Sequence, residues 1–115
     1  MYSIYGGAIG DRTVVQVDEN SNGDQIKLAS GETLEIGLSE NRTTGYKWFL
    51  KSSGKVCTLV DDGFKPGRAP GEPGTHRWKF RAEQAGSGSI QLSYHRTWGK
   101  EKTPANTFKL TVLVS

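Results

Sequence analysis

Apolar residues recur at every second position in one short segment after another, and that period commits the chain to strands with one face on a core. Thr33-Leu34-Glu35-Ile36-Gly37-Leu38 shows it, as do the sets Tyr46/Trp48/Leu50, Trp78/Phe80/Ala82, Ile90/Leu92/Tyr94 and Phe108/Leu110/Val112/Val114. Segments around Val15/Val17 and Ile26/Leu28, with the short run Val56-Cys57-Thr58-Leu59-Val60, bring the count to seven or eight strands. Turn-forming clusters at 20–24, 30–31, 39–45, 52–54, 85–88 and 99–106 separate them. Only 34% of the residues are hydrophobic and 15 of 115 are glycine, which argues against a helical bundle and for many strands joined by turns. The predicted class is all-β, with the strand spacing of a sandwich.

The length suits one domain, which buries roughly two-thirds of its unfolded surface. Residues 11–115 read as that domain, without internal repeat or linker. Residues 1–10 are Gly-rich and weakly patterned and are expected to be loosely held. No apolar run approaches the ~20 residues needed to span a bilayer, so no membrane association is expected. The start, Met1-Tyr2-Ser3-Ile4-Tyr5-Gly6-Gly7, lacks the basic and apolar regions of an export signal. Location stays open: cytoplasmic or in intracellular vesicles if the chain begins here, exported if it is the trimmed mature part. A single Cys57 excludes an internal disulfide and reads as a buried, inert thiol.

Charge is unevenly spread. Residues 1–61 hold six Lys/Arg and eight Asp/Glu, and residues 62–115 hold nine and four. The basic half could favour an acidic partner, but its charges are scattered, without the dense cluster of a nucleic-acid binder. Chemistry finds no foothold. His76 and His95 stand in no metal-ligand spacing with Cys57 or a carboxylate pair, and neither a nucleophile elbow nor a phosphate loop occurs. The acidic pairs Asp18-Glu19 and Asp61-Asp62 read as solvated turn charges. No cofactor, metal or catalytic residue is expected. Asn41-Arg42-Thr43 matches the N-glycosylation pattern, taken as accidental in a chain without an export signal.

Unusual composition gathers in three loops. The first precedes Tyr46 and Trp48, two strand residues that share a face, and its threonine pair before Gly45 builds an exposed turn on a stiff base. The second, Lys65-Pro66-Gly67-Arg68-Ala69-Pro70-Gly71-Glu72-Pro73-Gly74, is too rich in proline and glycine to be a strand. The third is His95-Arg96-Thr97-Trp98-Gly99-Lys100-Glu101. Trp98 has the even register of a core stripe; beside Arg96 and Gly99 it also has the setting of a binding anchor. Pattern alone supports both readings.

Taken in order, these loops resemble those of chagasin-like inhibitors of papain-type cysteine peptidases. Asn41-Arg42-Thr43-Thr44-Gly45-Tyr46-Lys47-Trp48 matches the family pattern N-P-T-T-G-[YF]-x-W. Gly71-Glu72-Pro73-Gly74-Thr75-His76-Arg77-Trp78 matches its glycine-rich loop, and Leu92-Ser93-Tyr94-His95-Arg96-Thr97-Trp98 its R-P-W after an L-x-Y strand. The resemblance runs from roughly Val14 to the C-terminus. It implies an immunoglobulin-like β-sandwich with three loops at one end that enter a peptidase cleft reversibly, with no covalent step and no cofactor. Asn41 and Arg42 through Tyr46 would then contact the peptidase, with Thr43, Thr44 and Gly45 across its catalytic residues. Pro70, Gly71, Glu72, Pro73 and Gly74 would grip one side, and Arg96, Thr97 and Trp98 would pack on the other. The implied partners are papain-like, cathepsin-L-like peptidases, met by a monomer. Arg42 and Thr97 replace prolines of the pattern, which predicts looser loops and weaker binding. The competing expectation from the residues is an immunoglobulin-like adhesion or ligand-binding module.

Overall fold

A computed structural model describes residues 2–5, 14–96 and 104–115. They form nine strands: β1 (Tyr2–Tyr5), β2 (Val14–Val17), β3 (Gln25–Leu28), β4 (Thr33–Glu40), β5 (Tyr46–Ser52), β6 (Cys57–Lys65), β7 (Gly74–Ala82), β8 (Gly86–Arg96) and β9 (Asn106–Val114). Eight of these are the strands that alternation picks out, and β1 is added at an edge. One sheet has the order β1-β2-β4-β7-β6 and the other β3-β9-β8-β5. The fold is an all-β, immunoglobulin-like sandwich.

The inward sets are the ones the alternation marks. Leu34, Ile36 and Leu38 of β4 and Trp78, Phe80 and Ala82 of β7 face Ile90 and Leu92 of β8 and Phe108, Leu110, Val112 and Val114 of β9, all buried. Each large side chain so removed from water contributes about 1.5–3 kcal/mol before the entropy of ordering is set against it. Cys57 lies at the rim of this core; its burial pushes the thiol's pKa up, as an inert structural cysteine requires.

Two features escape the alternation rule. β2 pairs parallel with β4, and β3 parallel with β9, so successive short strands join opposite sheets. Strand β6 runs to Lys65, farther than its apolar run predicts, and a register shift between Leu59 and Asp61 resets its faces. Asp61 and Asp62 therefore belong to a strand and not to a turn. Asp62 sits opposite Trp78 and Phe64 opposite His76, which turns both toward the sandwich interior at its open edge.

Candidate functional site

Register decides which loops meet. In one sheet Glu40, the last residue of β4, pairs with Gly74, the first of β7; in the other Tyr46, the first of β5, pairs with Arg96, the last of β8. The segments 41–45 and 66–73, and the one that leaves Arg96, thus start from the same end of the sandwich. Thr97 and Trp98 lie outside the described residues.

The first loop is a single 3-10 turn, Arg42–Thr44, capped at both ends. Asn41 Oδ1 accepts hydrogen bonds from the Thr43 amide (3.2 Å) and the Thr43 hydroxyl (2.6 Å), the local bonding that makes asparagine a good cap. Thr44 donates its hydroxyl to the Asn41 carbonyl at 2.7 Å. Gly45 closes the turn at φ 82°, a left-handed conformation that a residue with a Cβ adopts only under strain. Arg42, Thr43 and Thr44 are exposed, yet each has a backbone fixed from within.

Behind the turn, aromatic rings form its base. Tyr46 stacks on Tyr94 (5.4 Å between centroids), Tyr94 packs on Trp48 (4.9 Å), and the Arg96 guanidinium lies 5.3 Å above the Tyr46 ring. Trp48 is buried and donates its indole N–H to the Ser39 carbonyl at 3.0 Å. The core therefore holds Trp48, while Tyr46 stays half-buried at the strand's mouth.

The second loop leans on the first. Asn41 Nδ2 donates to the Gly71 carbonyl at 3.1 Å, and a cleft of about 280 Å³ lies between the loops, lined among others by Thr43, Phe64, Pro66 and Pro70. That amide nitrogen is where a glycan would attach, and it is engaged in holding the loops together. Pro70, Gly71, Glu72 and Pro73 are exposed. Gly74 is not: it is buried as the first residue of β7, where an added Cβ would overlap the Lys65 carbonyl oxygen and lie 2.6 Å from Phe64 Cζ. Its part in the site is to let the two arms of this hairpin approach.

Sequence reading passed over the residue at the centre. Glu40 continues the inward set of Leu34, Ile36 and Leu38, and its side chain is fully buried. Oε1 accepts from the Trp48 amide at 2.7 Å and from His76 Nδ1 at 2.9 Å, and Oε2 from Arg42 Nε at 2.6 Å. His76 is buried too, stacked on Trp78 at 4.0 Å, and its Nε2 meets Asp62 Oδ1 at 2.5 Å. Each ring nitrogen thus lies within hydrogen-bond distance of a carboxylate, Nδ1 of Glu40 on β4 and Nε2 of Asp62 on β6. The available signal was a charged residue in each inward stripe, Glu40 after Leu38 and His76 before Trp78.

This arrangement changes the expectation for Arg42. Its guanidinium is tied to Glu40 and covers the Phe64 ring at 3.9 Å, so the residue in the place of a proline is anchored rather than loose.

Burial alone would raise the Glu40 pKa, but the hydrogen bonds from Trp48, Arg42 and His76, with the charge of His76, outweigh it and hold the carboxyl below its ordinary value. A depressed folded pKa gives stability that is complete above the unfolded value of about 4.3 and is lost as pH falls through the folded one. The difference in urea midpoint between the wild type and Glu40→Gln is accordingly expected to shrink as pH falls below about 4. Among the described residues no group of three or more His, Cys, Asp and Glu side chains is placed to hold a metal ion.

Known proteins resemble this chain in sequence and shape. Residues 27–112 match the profile of the chagasin family of peptidase inhibitors. Amoebiasin-1 of Entamoeba histolytica is 35% identical over 103 residues, covering 87% of this chain and 99% of that protein. Chagasin of Trypanosoma cruzi is 30% identical over 90 residues, covering 72% of this chain and 82% of that protein. Among solved structures, the cysteine protease inhibitor EhICP2 of Entamoeba histolytica superimposes with a TM-score of 0.81 at 23% identity, covering 89% of this chain and 96% of that one. With its family profile, its relatives and its sandwich in agreement, the chain belongs to the chagasin family of peptidase inhibitors.

Proposed function

We propose that this protein is a reversible, competitive inhibitor of papain-type cysteine peptidases, acting as a monomer on cathepsin-L-like enzymes. Residues 41–45 form the central finger, 66–73 reach along one side of the cleft, and the segment leaving Arg96, with Thr97 and Trp98, reaches along the other. The carrying observation is the first loop: two exposed threonine side chains on a backbone already fixed by Asn41 and Gly45. Preorganisation of this kind lowers the entropy lost on binding. It also predicts resistance to cleavage. Peptidases take substrates as extended strands, and a 3-10 turn closed by a left-handed glycine presents no extended scissile bond to the thiolate.

A contact by three loops could bury a standard interface of about 1,600 Å². Titration against papain and cathepsin-L-like enzymes is expected to give complete, competitive inhibition, with activity regained on dilution and the inhibitor recovered intact. Thr43→Asp sets a carboxylate against Asn41 Oδ1 at the tip and is expected to weaken inhibition about 30-fold or more, the loss typical of an interface hot spot. Absence of inhibition at micromolar excess over several papain-type enzymes would overturn the proposal.

A further inference from the structure

We propose that Glu40 is the positioning residue of the inhibitory edge and Arg42 the arm through which it sets the first loop against the second. The side chain of Glu40 touches three elements at once: the first loop through Arg42, β5 through the Trp48 amide and β7 through His76. The fourth element, β6, is reached twice, by His76 on Asp62 and by the Arg42 guanidinium over Phe64. Strands β6 and β7 are the two arms from which the second loop hangs. One carboxylate therefore ties residues 41–45 to the two strands that carry residues 66–73, and the first loop does not shift without breaking the charge-assisted hydrogen bond from Arg42 to Glu40.

Arginine suits the arm because its planar head bonds a carboxylate along one edge while its face covers an aromatic ring; lysine, a point charge, does only the first. Arg42 is thus directed inward, toward Glu40 and Phe64, and its contribution to inhibition passes through the loops. The proposal rests on the reading that these loops meet a peptidase, and its test includes an arm that does not.

Hydrogen exchange of the Thr44, Gly45 and Glu72 amides is measured in the free protein, since these bond to Asn41, Arg42 and Ala69 within the two loops. Association and dissociation rates with papain are measured beside it, for the wild type, Arg42→Ala, Arg42→Lys and Glu40→Gln. Arg42→Ala leaves the buried carboxylate in place and avoids the folding risk of Glu40→Gln. It is expected to speed exchange in both loops and dissociation from papain by about tenfold, with association within about twofold, as the loss of one charge-assisted bond implies. Arg42→Lys is expected to recover part of each effect. Faster dissociation with unchanged exchange would make Arg42 a direct peptidase contact and overturn the proposal, as would unchanged exchange and dissociation together. If the wild type inhibits no papain-type enzyme, the proposed function falls while the exchange measurements still decide this one.

Discussion

Trp78→Ala is expected to lower the free energy of unfolding by about 3–5 kcal/mol, the largest loss that a single side chain of this protein should give. Trp78 is among the largest fully buried side chains, opposite Ile36 on β4 and Asp62 on β6. Its truncation leaves a cavity in the middle of the five-stranded sheet's inner face. It also removes the plate against which His76 stacks at 4.0 Å and 9° between planes. Domains of this size have about 5–15 kcal/mol in total, so the variant should be folded at low temperature but melt early. Urea denaturation measures the loss, and a value under about 1.5 kcal/mol would mean that the core collapses around the site. The folded fraction should still inhibit, because neither the Arg42–Glu40 bond nor the Asn41 cap involves Trp78.

Asn41→Ala should do the reverse, weakening inhibition about a hundredfold while lowering the melting temperature by only about 3–6 °C. Asn41 makes three side-chain hydrogen bonds, to the Thr43 amide, the Thr43 hydroxyl and the Gly71 carbonyl. At about 1 kcal/mol net for each, their sum corresponds to roughly two powers of ten in affinity if all of it had served to preorganise the finger. The bonds are exposed and lie outside the core, so the cost to global stability is that of a lost cap, about 1 kcal/mol. Inhibition constants against papain, set beside thermal melting, test the separation. A variant that inhibits within about threefold of the wild type would show that the turn holds itself without its cap.

Most of the fold was legible because the strand period is two and one face of each sheet is buried. Leu34/Ile36/Leu38 and Trp78/Phe80/Ala82 could be assigned to the interior from spacing alone. Asp61-Asp62 was misread as a turn because polar residues at a sheet's open edge carry no apolar alternation to mark the strand. The pairing of Glu40 with His76 was not legible for a related reason. A charged residue in an inward position is meaningful only when its partners are known, and those partners come from positions 42, 48 and 62, on other elements of the fold.

The sequence by itself determined the class, the inward stripes and the composition of the loops, since each depends on neighbours along the chain. Tertiary structure decided which strands pair, that β2 and β3 go to opposite sheets, and that Glu40 meets Gly74 as Tyr46 meets Arg96. It also decided that Arg42 is anchored. The physical reason is range: a period is set by local backbone geometry, whereas the burial of one carboxylate is tolerable only if donors from separate elements, Arg42, the Trp48 amide and His76, arrive together, and only the folded chain brings them there.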